Sequence, residues 1–535
     1  MKQKKEKLNL KHLTSVKDLI IGLLLVILSL LVRFWNFYLI PGYRTDEVGE
    51  ELRAFAIYLG KMFPLTNNAP FIGAFYNYLI AAVFYLLEPD MVVARLVVVI
   101  FGSLTPVLVY ILGKKLANRT IGIISGLLLC FSPGHILIAS HVAWSASLAP
   151  FFAVLSIILF IKALESENKK YWLLYGLLTG LAIQIHPSTI VTTFLGPLLY
   201  LLLKRKKEIV RYIISIRSLM FILGFFVGYS NMLLFNIIKP LGGVTSMFVA
   251  KWTGFSHPLT IGEYFRRLSF LLSEFVTMLC SGVPIISLMV LIKKPVFYIY
   301  LIAFITAILI SLRRRKDYDI LLLLIIFPSL LILAVATRGV MTPTPWGFAW
   351  GPHYLQQLLP FTFILMSSVI YSPLAIIHEF KSALSKIFPV LLTIISIGLI
   401  LIWPFTNLTA FYGFCMSRGI NNKPLNDTAS LFKKIESECV FVDPEAFQAF
   451  LLARVIQLKG VEAFSVPRKK IPAVKALYGV IIKTRCRTLH LIMPPKKGIK
   501  EYRGLLIHFR FRLENKYLIR DSVGRLVYVI LEFRR

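Results

Sequence analysis

Asp46, Glu47, Glu50 and Glu51 fall within six residues of one another in "PGYRTDEVGEEL" (41–52), directly after an apolar run that ends near Ile40. A carboxylate can take the proton of an attacking hydroxyl, and neighbouring carboxylates can hold a divalent cation. Read as a helix over 46–59, the segment places Val48, Leu52, Phe55 and Leu59 on one stripe and Asp46, Glu50 and Arg53 opposite. Thr45 is placed to act as its N-cap. Such an amphipathic helix fits flat on a membrane surface. A helix dipole by itself favours acids in the first turn, so residue type leaves a solvated face and a functional cluster both open. Location favours function: the acids stand just beyond a first span, and a second interfacial segment follows them.

The elements that must position this cluster are those of a membrane protein. Of 535 residues, 57% are hydrophobic and 16% charged, against about 25% charged in soluble domains. Apolar runs of spanning length occupy 18–40, 91–112, 120–139, 145–164, 171–187, 189–203, 213–237, 295–312, 320–337, 353–377 and 386–408. Two more, 71–87 and 264–292, are ambiguous. The net charge of +34 gathers in short loops: Lys114, Lys115 and Arg119, "KRKK" at 204–207, "RRRK" at 313–316. Loop basicity of this kind marks the cytoplasmic side. It stays on one side if 71–87 lies along the interface and 264–292 does not cross once, so eleven spans are expected, with thirteen as the alternative. Either odd count puts the N-terminus inside and the C-terminus outside. The basic N-terminus leads into an apolar run too long for a signal peptide, which reads as a retained first span. No nucleic-acid fold accompanies the basic loops, so nucleic acid is not an expected partner.

From about residue 411 the chain changes character, giving expected units 1–410 and 411–535. The second carries 24 Lys+Arg and 10 Asp+Glu. Strand-like runs at 439–443, 479–483, 489–493 and 525–533 surround a helical pattern at 444–458, which predicts a small α/β domain outside the membrane. Cys439 and Cys486 can pair there if the compartment is oxidising.

The order of motifs resembles that of the GT-C membrane glycosyltransferases, in the branch of protein mannosyltransferases and lipid A aminoarabinose transferases. The resemblance rests on "YRTDEVGEELRAFAIYLGKMFP", "APFIGAFYNYLIAAVFYLLE", "ARLVVVIFGSLTPVLVYILGKKL", "SPGHILIASHVAWSASLAPFFAVL", "YWLLYGLLTGLAIQIHPSTIV" and "HYLQQLLPFTFIL", over about residues 18–400. It implies an all-α polytopic domain of about 11–13 spans with interfacial helices in the first outer loop. It also implies transfer of a sugar from a polyprenyl (dolichyl or undecaprenyl) phosphate to a hydroxyl on protein, lipid or glycan, at the outer face of the plasma membrane, with inversion. Asp46 is then the base and Glu47 an acceptor-positioning group, or the two hold a divalent cation (Mg or Mn). The departing phosphate needs positive charge, for which Arg95, Lys251, His257, Arg266 and Arg267 are candidates, Arg95 with Glu50 or Glu51 as partner. His186, His141, His353 and Tyr354 stand at predicted outer span ends. Asn68-Ala69-Pro70 lacks the basic residue that the aminoarabinose branch carries before its Pro, which argues against that donor. A lipid-linked saccharide flippase or transporter, and an O-antigen ligase or polymerase, are the alternatives. The first should show inverted repeats or interrupted helices.

Overall fold

The computed structural model describes residues 16–535 except 206–213, 250–254, 256, 284–291, 337–352, 378–401, 419–420, 433, 436–437, 445, 447–448, 459–460, 466–472, 485, 496 and 498. Its helices are α1 (Val16–Phe34), α2 (Thr45–Tyr58), α3 (Phe75–Phe84), α4 (Met91–Leu116), α5 (Arg119–Phe131), α6 (Pro133–Ile138), α7 (Ala149–Glu165) and α8 (Lys170–Ile185). There follow α9 (Gly196–Lys204), α10 (Ile216–Gly228), α11 (Ser230–Ile238), α12 (Gly242–Val249), α13 (Ile261–Leu279), α14 (Pro295–Arg314), α15 (Asp317–Ala336) and α16 (Leu359–Ile377). A further helix, α17, covers 402–418. Met91–Leu116, Ser145–Glu165, Pro295–Arg314, Asp317–Ala336 and Tyr354–Tyr371 are each long and apolar enough to cross a bilayer, which makes the chain an integral membrane protein. Most of the expected span 386–408 lies outside the described residues.

Polar contacts fix both ends of the antiparallel pair α1 and α4. At one end Asp18 accepts from Tyr110 (2.5 Å), Lys114 (2.6 Å) and Arg119 (3.0 Å). At the other, Arg95 Nη1 donates to Phe37 O at 2.7 Å. Between them in sequence, α3 has 10 residues, about 15 Å at 1.5 Å per residue and half a bilayer core. Residues 71–87 therefore do not cross. The first end is a belt of ion pairs: Lys115 with Glu165, Arg217 with Glu167 at 2.5 Å, Lys204 with Asp317 at 3.4 Å. We call it the basic end, and the opposite one the site end.

The expected span 213–237 is bent: α10 and α11 meet at 71°. Gly228 and Ser230 flank the bend, and sharp kinks fall at such pairs. Glycines also let α10 approach α8. A Cβ on Gly176 would lie 2.0 Å from Phe221 O, one on Gly224 2.0 Å from Leu173 O, and one on Gly228 2.1 Å from Leu177 O.

The tail folds as a five-stranded sheet of order β2-β1-β3-β5-β4, from β1 (Cys439–Val442), β2 (Ala463–Phe464), β3 (Thr488–Met493), β4 (Arg512–Arg520) and β5 (Leu526–Arg534). β1 pairs in parallel with β2 and β3, while β5 is antiparallel to β3 and β4. Helices α18 (Lys423–Phe432), α19 (Ala449–Gln457), α20 (Ala473–Thr484) and α21 (Lys500–His508) complete it. Two strand expectations change. Residues 479–483 belong to α20, whose Leu477, Val480 and Ile481 are buried at helical spacing. β4 has a largely exposed face, so it lacks the apolar alternation that would reveal a strand. Cys439 and Cys486 form a disulfide. Residue 411, where the composition changes, lies inside α17.

The tail also corrects the setting of α2. Val48, with Leu52 and Phe55 beside it, packs with Leu425, Phe432, Leu452, Val455 and Ile456 of the tail, not on lipid. On its other side Ala54 and Ile57 pack with Tyr76, Ile80 and Val97 of α3 and α4. Leu59 alone of the predicted stripe stays exposed.

Candidate active site

The helix that carries the acids begins at Thr45, with Arg44 as its N-cap residue instead of Thr45. The Arg44 N–H donates to Glu47 Oε1 at 3.3 Å. From that start the four carboxylates diverge. Glu47, Glu50 and Glu51 are buried at 0%, 5% and 0% exposure, while Asp46 is exposed.

Glu47 faces Arg95, at 2.9 Å (Nε to Oε2) and 3.1 Å (Nη2 to Oε1), and also accepts the Ala143 N–H at 3.0 Å. Arg95 spends its remaining donors on Phe37 O, Ile40 O (3.5 Å) and Pro41 O (3.1 Å), and its guanidinium lies 4.5 Å from the Tyr43 ring. A guanidinium has five N–H donors, and all five are used. Arg95 thus pairs with Glu47 rather than with Glu50 or Glu51, and has no donor left for a phosphate. Each Glu47 oxygen already accepts two hydrogen bonds beside a fixed positive charge, so Glu47 does not suit a divalent cation. Among the described residues no group of three His, Cys, Asp or Glu could hold a metal.

Glu50 accepts from Asn67 Nδ2 (2.7 Å) and Asn77 Nδ2 (2.5 Å). Burial pushes its carboxyl up to about 7, against those two hydrogen bonds. Arg53 is held by Asn68 Oδ1 (3.1 Å) and Thr66 O (3.2 Å), so Asn68 sits inside the site's own scaffold. Asp46 opens to solvent but is crowded by protein on its inner side. That desolvation raises its carboxyl above the ordinary range, the Arg44 guanidinium opposing it. Arg44 in turn lies 5.9 Å from the Trp144 ring.

A second polar group gathers at the same end. The C-cap residue of α8, His186, stacks on Tyr354 with centroids 5.6 Å apart and hydrogen-bonds Ser188 Oγ through Nδ1 at 2.7 Å. Gln357 donates to Ser188 Oγ (3.0 Å) and accepts from Thr192 (3.0 Å), and Gln356 donates to Ala146 O at 3.3 Å. Ala146 is two residues from Trp144, so this cluster borders the Arg44–Asp46 rim. Arg44, Gln356 and Gln357 escaped sequence reasoning. The signal was present in "HYLQQLLP", where two amides stand consecutively at the entrance to an apolar span.

The other candidates stand apart or are engaged. Arg266 and Arg267 both grip Glu263 on their own helix, at 2.8 and 2.7 Å, and Arg267 also donates to Val335 O. His257 is half-buried ahead of α13. His141 is buried between Trp35 O (3.0 Å) and Ser140 Oγ (2.8 Å), a structural position. Lys251 and the His353 side chain lie outside the described residues.

The profile of the family described as dolichyl-phosphate-mannose-protein mannosyltransferase matches residues 70–229. No curated protein sequence matches significantly. Among solved structures, ArnT from Cupriavidus metallidurans in the apo state superposes with TM-score 0.63 at 11% identity, over 97% of this chain and 98% of that one. The same protein bound to undecaprenyl phosphate gives 0.59 at 11% identity, over 97% of each chain. The apo oligosaccharyltransferase of Archaeoglobus fulgidus gives 0.52 at 12% identity, over 97% of this chain and 75% of that one. The fold is that of the GT-C membrane glycosyltransferases.

Proposed function

We propose that the protein is a glycosyltransferase that moves a sugar from a polyprenyl phosphate to a hydroxyl acceptor, with inversion, at the site end of the bundle. The observation that carries this reading is the sorting of the acids: of four carboxylates on one helix, Asp46 alone opens outward, beside a charge pair that fixes its backbone. Support comes from the shared fold, one example of which holds undecaprenyl phosphate, and from the mannosyltransferase family match. In the reaction Asp46 takes the acceptor's hydroxyl proton, the oxygen forms a bond to C1, and the C1–O bond breaks. Its electron pair leaves on the lipid phosphate. A phosphate monoester is a competent leaving group, so no acid need protonate it. Arg266, half-exposed on α13, is the cation we assign to the departing phosphate, with Lys251, His257 and His353 as further contacts. His186, Tyr354, Gln356 and Gln357 line the sugar side.

We place the basic end in the cytoplasm and the tail outside, in the plasma membrane. Lys114, Lys115, Arg119, Lys204 and Arg217 at the basic end follow the positive-inside rule. The Cys439–Cys486 disulfide suits an oxidising compartment. The boundary between the units falls at Asn421–Asn422. A saccharide transporter is the second reading, favoured by the 71° break between α10 and α11.

Replacing Asp46 by Asn tests the proposal. Transfer of mannose from a polyprenyl-phosphate mannose should fall by about 10²–10⁴-fold while the donor still binds. The acid limb of the wild-type profile should lie above the range of an unperturbed carboxylate. A variant with wild-type turnover removes Asp46 as base. Lipid translocation that survives in it supports the transporter.

A further inference from the structure

We propose that Asn422 is a positioning residue: it holds the turn that delivers Asp46, so that the tail is part of the catalytic apparatus. The kinetic part of this proposal rests on the transferase reading; the structural part does not. The turn between α1 and α2 carries backbone polar groups that belong to no helix, and buried groups of that kind need partners. Asn422, itself fully buried, supplies four contacts at once. Its Nδ2 donates to Tyr38 O (3.0 Å) and Pro41 O (3.3 Å), its Oδ1 accepts from Tyr43 N (2.5 Å), and its backbone N–H donates to Leu39 O (2.8 Å).

The same turn is held from inside the bundle by Arg95, which shares Pro41 O and takes Phe37 O. Arg95 is locked on Glu47, the residue after Asp46. The turn is therefore gripped on two sides, and Asp46 follows Tyr43 by three residues. Asn422 opens the tail, whose Leu452, Val455 and Ile456 then cover Val48 on the outer face of α2. Asn421 differs from its neighbour. Its side-chain amide donates to Ser522 Oγ in the β4–β5 turn at 2.9 Å and accepts from Lys423 N–H at 3.1 Å, so among the described residues its side-chain hydrogen bonds go to the tail and not to 38–43.

Hydrogen exchange in lipid nanodiscs reads the structural part. Asn422→Ala should lose protection over residues 38–50 and keep it in β1 and β3, whereas Asn421→Ala should match wild type over 38–50. Transfer from polyprenyl-phosphate mannose reads the kinetic part. Displacing a catalytic group by about 1 Å costs on the order of 100-fold, so kcat of Asn422→Ala should fall by about that factor. KM for the donor should stay within about twofold. In an Asp46→Asn background the same change should cost little more, since both act through one carboxylate. If Asn422→Ala does not fold, Asn422→Ser, which leaves one neutral hydroxyl toward the turn, is the substitute and should lose protection over 38–50 with a kcat between wild type and a loss of about 100-fold. Unchanged exchange over 38–50, or full and equal losses in both backgrounds, overturns the proposal. Undiminished transfer by Asp46→Asn alone sinks the transferase reading and leaves the exchange result to decide on Asn422.

Discussion

An arginine and a glutamate buried together are expensive to dehydrate, and removing one partner strands the other. Arg95→Met should therefore destabilise the fold by about 3–5 kcal/mol, read as a fall in thermal midpoint in detergent. An unchanged midpoint with lost transfer would instead make Arg95 a substrate contact. Glu50 behaves oppositely. Burial pushes its folded carboxyl up to about 7, above the ordinary 4.5, so the folded state binds the proton more tightly than the unfolded chain does. Stability from this group is complete below pH 4.5 and is lost as pH rises through 7. Glu50→Gln stays neutral but gives up one of the two acceptors that Asn67 and Asn77 use, so its midpoint should start at or below that of wild type at pH 5 and gain on it steadily up to pH 8. The total gain should approach about 3 kcal/mol; no change with pH would show that Glu50 ionises normally. At this scale the sequence disclosed the acids and their place after the first span. It could not disclose which acid Arg95 would choose, because Glu47, Glu50 and Glu51 all lie within a turn of each other and only packing separates them.

Elements are held together by features of two kinds. Apolar stripes were readable: α2 was predicted with its stripe intact, and what failed was the identity of the surface it covers. A stripe that fits lipid fits a protein face equally well, and the tail that covers it lies some 380 positions later in the chain. Backbone-to-backbone packing was less readable. Gly176 and Gly180 on α8 face Gly224 and Gly228 on α10, both at the four-residue spacing that lets membrane helices approach closely. The pattern is present in "YGLLTGL" and "LGFFVGY", yet each glycine looks ordinary in an apolar run. Gly224→Leu should push the helices apart and cost at least about 1–3 kcal/mol. Gly262→Leu, with open space around its Cβ direction, is the matched control and should fall within about 0.5 kcal/mol of wild type. Equal effects of the two would mean that the close approach does not matter to stability.

For the molecule as a whole, the two ends of the bundle were the most readable feature. The basic loops favoured an interfacial 71–87 with a crossing one as the alternative, and the Asp18 cluster with Lys114 and Arg119 chooses the first through direct contacts. Single cysteines at Ala117, by the basic end, and Val523, in the tail, should react with an impermeant maleimide from opposite sides of sealed vesicles. The native free cysteines are buried and should stay silent. Labelling of both from one side would refute the arrangement. The sandwiching of α2 has a bearing on biosynthesis. Leu425 and Ile456, which pack with Val48, are made about 380 and 410 residues after it. At ~5–20 residues per second, the nascent helix waits roughly 20–80 s with one greasy flank uncovered. The helix that carries Asp46 is thus enclosed on both flanks only after its distant cover has been made, and a chain that stalls before residue 422 lacks the clamp on residues 38–43.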